Sequence, residues 1–306
     1  MRILVTGGAG FIGSHVVETY LALGHDVAVI DNLATGRRAN VPAAAQLYEV
    51  DVHAREAEAI FANFRPEVVN HLAAQASVKV SMADIVFDLE ANGGGTARIA
   101  DLAVRHGVRK MIYSSTGGAL YGDPDMVPVP ESHPIRPLSN YGLSKRVGEL
   151  YIELLGRTRG LEYTILRYAN AYGPRQDPRG EAGVVAIFTG LMLEGAQCTI
   201  DGDGEQRKDY VYVGDIARAN ALAIDKGAGL ALNIGTGRGL SVNEIFGEIR
   251  AATGATAEAE FGPPRPGDVR DIWLDASLAE QVLGWRPEVD FPSGLRRTIA
   301  SLAVGK

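Results

Sequence analysis

Residues 139–150 read SNYGLSKRVGEL, with Tyr141 and Lys145 four positions apart. Ser139 and Asn140 suit a helix start, and GLSKRVGELYIELL continues with helical spacing, so the phenol and the ammonium share one face. A core tyrosine and a surface lysine at this interval are common, and the pair acquires chemical meaning only beside a redox partner. A free phenol titrates at about 10; bringing it to about 7 takes about 4 kcal/mol, which an ammonium and a second cation can supply in a partly dry cleft. Such a phenol takes the proton of an alcohol while hydride leaves the adjoining carbon, and returns it in the reverse step.

A floor for that partner is written at the start of the chain. GGAGFIG follows the apolar run ILVT and opens an amphipathic stretch, offering Gly7 for a tight turn, Gly10 for close approach of a pyrophosphate and Gly13 for helix–strand packing. The helix N–H groups behind them suit phosphate charge. Asp31 ends the second apolar run 24 residues beyond Gly7, where a carboxylate accepts ribose hydroxyls and repels a 2'-phosphate, so NAD is expected over NADP. Arg37 and Arg38 either curl toward a phosphate or lie on a solvated loop, the commoner case. Asp51 either meets the adenine edge or caps a helix over VHAREAEAIF. With a nicotinamide in place, Lys145 also has its ribose to hydrogen-bond.

These groups need a sheet edge to hold them. RILVT, DVAVI, QLYEV, EVVNHLA, KMIYSS and LEYTILRY are short, nearly continuous apolar runs, as in parallel strands covered on both faces. FIGSHVVETYLALG and NGGGTARIADLAVRHG read as crossover helices ending at Gly. The expected fold class is α/β: a doubly wound, Rossmann-type parallel sheet over residues 1–170, with a smaller C-terminal α/β lobe over 171–306, some of whose segments return to the first domain. In that lobe YGPRQDPRGEAG and FGPPRPGD read as loops, and residues 183–194 as a helix. KMIYSST ends in hydroxyls at the ligand edge of the sheet, where one of Ser114, Ser115 and Thr116 can align an alcohol with the phenol and the other two satisfy turn backbone.

Composition narrows the class. The chain has 306 residues, 46% of them hydrophobic, and a net charge of -7, so neither nucleic acid nor an anionic membrane is an expected partner. A single cysteine, Cys198, excludes an internal disulfide framework and a thiolate-rich metal cluster; no metal is expected. No apolar run approaches the roughly 20 residues that cross a bilayer, and no signal-peptide core is seen, so the expected location is cytoplasmic.

TGGAGFIGSH, DNLATG, HLAAQASV, SSTGGALYG, YGLSK, RYANAYGPRQ, GDGEQRKDYVYVGDIA and PPRPGD span nearly the whole chain. With these motifs the sequence resembles the extended short-chain dehydrogenases/reductases of the nucleotide-sugar epimerase/dehydratase group, most closely the UDP-glucose (UDP-galactose) 4-epimerase branch. The resemblance implies Tyr141 as acid/base, Lys145 as its partner, and Thr116 as the hydroxyl, with Ser115 next. It implies that Phe11, Ile12, Asn32, Val52, Leu72, Ala73, Ala74, Asn92 and Tyr168 line the dinucleotide. It also implies that Asn170 and Arg265 bind a substrate diphosphate and that Ile272 limits room at the sugar 2-substituent. Lys208 stands where relatives carry arginine, with Arg207 just before it; either supplies the charge, but lysine lacks the bidentate fork. Related dehydratases carry acids after the catalytic hydroxyl, whereas STGGALYG has none, which implies 4-epimerisation of a UDP-sugar through a 4-keto intermediate. N-acetylated and glucuronate substrates remain as alternatives, as does an NAD-binding regulatory protein. A homodimer is implied through the helix of Tyr141 and the segment after Asn92.

Overall fold

The computed structural model describes residues 1–179, 183–256, 258–264 and 269–304. Its centre is one parallel sheet built from β1 (Arg2–Thr6), β2 (Asp26–Asp31), β3 (Gln46–Glu49), β4 (Val68–His71), β5 (Lys110–Thr116) and β6 (Glu162–Tyr168). A seventh strand, Leu230–Ile234, lies beyond β6, giving the order seventh–β6–β5–β4–β1–β2–β3. The strand order reverses beside β1, which pairs with β2 on one side and β4 on the other. Loops leaving the carboxyl ends of β1 and β4 diverge there and open the crevice in which such sheets bind ligands.

Alternate residues of each strand enter two separate cores, which is why the runs are apolar throughout. Ile3, Val5, Val27, Val29 and Ile112 pack with Val16, Val17 and Tyr20 of helix Phe11–Ala22 and with Ile216 of helix Val213–Ala223. Leu4, Ala28, Ile30, Met111 and Tyr113 pack on the other face with Phe61, Ile99 and Ile152. Each fully buried aliphatic side chain contributes about 1.5–3 kcal/mol, so both faces add to the stability of the sheet.

The second lobe has its own core, in which Phe188, Met192, Val242, Phe246 and Leu295 come from helices Val184–Leu193, Val242–Thr253 and Phe291–Val304. Phe11 and Ile12, just past the Gly-rich turn, pack against that core, so the first helix touches both lobes. The boundary near residue 170 is crossed by the chain: helix Val213–Ala223 and strand Leu230–Ile234 belong to the first layer.

Candidate active site

The Gly-rich turn is a cradle that side chains would fill. Gly7 has φ 73°, in the left-handed region, and a Cβ there would lie 2.6 Å from Ala73 N in the loop after β4. A Cβ on Gly13 would lie 2.0 Å from Gly7 O, so the helix can sit this close to the turn only with glycine. Gly10 is the extended N-cap of helix Phe11–Ala22 and has no side chain to block its terminal N–H groups. The Asp31 carboxylate accepts from Ala9 N at 2.9 Å and from Leu33 N at 2.9 Å, fixing the end of β2 against the turn. Asn32 donates to Asp51 Oδ2 at 2.7 Å, and Asp51 Oδ1 accepts from His53 N at 2.8 Å. The helix beyond it starts only at Glu56 with Arg55 as N-cap, so Asp51 is not the cap. Val52 is buried, Leu72 and Ala73 are partly buried, and Ala74 is exposed. These residues fit a dinucleotide: backbone N–H groups for the diphosphate and the Asp31 and Asp51 carboxylates at the adenosine end.

The phenol and the ammonium sit where the helix Asn140–Arg159 crosses the carboxyl end of β5. Ser139 caps that helix, accepting from Gly142 N at 3.1 Å. A Cβ on Gly142 would lie 2.4 Å from Ala119 O, so the first turn of the helix rests directly on the turn after Thr116. Lys145 is 3% exposed; its Nζ lies over the Tyr113 ring, 4.4 Å from the centroid. Burial pulls the lysine down to about 7, while Glu149 and Asp88 oppose the fall. Burial, reinforced by Asp88, pushes the Tyr141 phenol up to about 12. The lowering expected of the phenol draws on two cations, Lys145 and the oxidised nicotinamide.

The three hydroxyls after Tyr113 separate clearly. Ser114 Oγ is bonded to Tyr168 OH at 2.9 Å, and Ser115 is buried with an Oγ that has no hydrogen-bond partner. Thr116 is partly exposed; its Oγ1 accepts from Ala119 N at 3.2 Å, leaving the hydroxyl proton to donate outward. Tyr168 is buried, and its OH is shared among Ser114 and Asn220, so only its ring is free for a ligand. Asn170 donates to Asp209 O at 3.1 Å, and its Oδ1 faces Gly118 beside the catalytic turn.

The lobe residues behave differently. Arg207 is exposed, whereas Lys208, on the next position of the same short strand, donates to Val269 O, so the two project to opposite sides. Ile272 is 2% exposed and packs in the main core beside Val129 and Leu274. Arg265 lies outside the described residues. The segment after Asn92 carries Thr96, Ile99, Ala100 and Ala103 into the core, and the exposed apolar residues, Val78 to Leu89, precede Asn92.

Sequence reasoning missed a buried chain behind the pair. Asn92 Nδ2 contacts Asp88 Oδ1 at 3.1 Å, Ser144 Oγ at 3.0 Å and Gln75 O at 3.0 Å. It also missed His71, bonded to Thr6 Oγ1 at 2.6 Å and Thr96 Oγ1 at 3.1 Å and pushed down to about 3 by burial and by Lys145. The only signal was polarity inside apolar runs.

A doubly wound sheet with a Gly-rich first turn and a Tyr-x-x-x-Lys helix over its carboxyl edge defines a dinucleotide-dependent enzyme of the short-chain dehydrogenase/reductase class. Residues 3–235 match the NAD dependent epimerase/dehydratase family, and the chain belongs to that family. A UDP-glucose 4-epimerase of Mycolicibacterium smegmatis is 43% identical over 305 residues, covering 98% of this chain and 97% of that protein. The crystal structure of a UDP-glucose 4-epimerase with UDP-glucose from Thermotoga maritima matches with TM-score 0.98 at 49% identity, covering 100% of this chain and 99% of that one. A Thermus thermophilus UDP-glucose 4-epimerase in complex with NAD matches with TM-score 0.93 at 46% identity, over 99% of each chain.

Proposed function

We propose that this enzyme interconverts UDP-galactose and UDP-glucose by inverting C4 through a 4-keto sugar, with NAD held on the Gly7–Gly13 turn. The observation that carries the reading is the turn Gly117–Leu120: between Thr116 and Tyr121 it presents only Gly, Gly, Ala and Leu. Loss of water from the sugar needs a further acid and base close to the ketone. With none on that turn, proton chemistry is confined to one phenol, which takes a proton and gives the same proton back.

In this mechanism Thr116 donates a hydrogen bond to the sugar oxygen, and Tyr141 removes the O4 proton. What NAD supplies when bound is a hydride acceptor and donor at C4, together with the positive charge of its oxidised form. Lys145 holds the ribose on the side facing Tyr141. Inversion requires the 4-keto sugar to turn over while its nucleotide stays anchored, so strong contacts belong at the diphosphate, with Asn170 and Arg207 as the groups offered, and weak ones at the sugar. The similarity to UDP-glucose 4-epimerases over the full chain supports the same reading.

The test releases and identifies the dinucleotide from denatured enzyme, then incubates fresh enzyme separately with UDP-galactose, UDP-N-acetylgalactosamine and UDP-galacturonate. Fastest conversion of UDP-galactose, without net change in nicotinamide absorbance, is the expected result. Preference for another sugar would reassign the substrate, and steady net reduction of the cofactor would replace epimerase by dehydrogenase.

We further infer a homodimer. Helix Asn140–Arg159 buries a face of Gly142, Ser144, Lys145 and Glu149, while Leu143, Leu150, Tyr151 and Leu154 are exposed. Met82, Ile85, Val86 and Phe87 lie exposed on the helices packed beside it, extending the apolar surface.

A further inference from the structure

Asp88 is completely buried at the end of the short helix Ile85–Leu89, one turn before Asn92. One carboxylate oxygen, Oδ1, accepts from Gln75 Nε2 at 2.8 Å and from Asn92 Nδ2 at 3.1 Å. The other, Oδ2, is buried with no hydrogen-bond partner. Among the described residues no arginine or lysine is paired with this carboxylate, which is costly for an ordinary structural aspartate. The site is also held with unusual care. Asn92 sits in a π turn, Glu90–Gly94, a local widening of the helix that aims its side chain at the catalytic helix. Its Nδ2 reaches Ser144 Oγ at 3.0 Å, and Ser144 in turn donates to Tyr141 O at 3.0 Å. A continuous hydrogen-bonded path therefore runs from Asp88 to the backbone of the phenol-bearing residue.

We propose that Asp88 is a positioning residue for the Tyr141–Lys145 pair, acting through Asn92 and Ser144 and through its own uncompensated charge. The inference rests on the reading of Tyr141 as acid/base. The charged and titratable groups around the pair are few. Glu149 lies on the same helix, is bonded to Arg167 at 2.8 Å and to Arg146 at 2.7 Å, and favours the protonated form of Lys145. His71 on β4 is neutral, Tyr113 on β5 supplies its ring, and His53 lies beyond Gly94 and Gly95. Asp88 bears on both members, whereas Glu149 bears on Lys145, and Asp88 favours the protonated form of each. That sign has a use. A proton lifted from a sugar alcohol must remain on the phenol until the ketone is reduced again, and a nearby anion keeps it from leaving to solvent.

The test compares native holoenzyme with Asp88→Asn, which keeps the shape and removes the charge. Phenolate absorbance of Tyr141 is read as the ultraviolet difference against Tyr141→Phe, with no sugar present, so the result is independent of which sugar is the substrate. The expected midpoint for phenolate formation falls by about one pH unit, a tenfold change in proton affinity. With UDP-galactose, kcat falls with KM little changed, and the alkaline limb of the pH profile moves to lower pH. An unmoved midpoint overturns the proposal even if activity drops. If Asp88→Asn does not fold, Asp88→Ser, which leaves space instead of a new donor, is measured the same way; failure of both to fold assigns Asp88 to structure alone and also overturns it.

Discussion

Replacing Tyr141 with Phe tests the chemistry at a single atom. The ring is kept and only its hydroxyl is lost, so the dinucleotide is expected to stay bound, while turnover falls about 10²–10⁴-fold, the range carried by one positioned acid/base. Single-turnover assays with bound NAD quantified in parallel check this, and near-native turnover would remove the phenol from the mechanism. At this scale the sequence is legible wherever chemistry depends on spacing along one helix: Tyr141 and Lys145 pair on spacing alone. Contacts made across the fold could not be read. Asp88 and Asn92 lie on one helical stretch, and Ser144 meets them only once helix Asn140–Arg159 is laid on the π turn.

The elements were legible where hydrophobic period and turn chemistry agreed, as in the six strands and in helix Phe11–Ala22. NGGGT reads as the start of a helix at Asn92, yet the regular helix begins at Gly95, after a π turn continuing from Ile85–Leu89. Three glycines are poor helix formers, and what holds them there is tertiary: a Cβ on Gly93 would lie 3.0 Å from Val147 Cγ1 of the catalytic helix. The same kind of constraint gives the element-scale prediction. Gly13→Ala places a methyl 2.0 Å from Gly7 O, a backbone atom that cannot swing away, so helix Phe11–Ala22 has to move off the turn. The expected outcome is loss of bound dinucleotide, with destabilisation of about 1–3 kcal/mol. Equilibrium unfolding and cofactor retention measure the two effects separately; a variant that keeps NAD with native stability would contradict the packing described.

For the molecule as a whole, acid stability follows from His71. The imidazole titrates at 6.5 in its ordinary state and at about 3 in the fold, so between those values the unfolded chain binds the extra proton. Stability is therefore full above 6.5 and declines as pH falls toward 3, by at most about 1.4 kcal/mol per pH unit from this group. Urea midpoints taken across that window should fall less steeply in His71→Asn; an unchanged slope would show that His71 already binds its proton in the native state. Association is the other whole-molecule property. The helical period of GLSKRVGELYIELL reveals an apolar stripe but not which side faces the core, and the side that does so carries Gly142, Ser144, Lys145 and Glu149. The stripe of Leu143, Leu150 and Leu154 is left outward, continuous with Met82 and Phe87. A two-fold axis beside this helix would pack the stripe on its own copy, and about 1,600 Å² of buried surface suffices for a stable pair. Leu150→Arg places a charge at the centre of that contact without touching the buried face that holds Lys145. Sedimentation at micromolar concentration should therefore show a dimer for the native chain and a monomer that retains NAD for the variant; a native monomer would mean that some other partner covers the stripe.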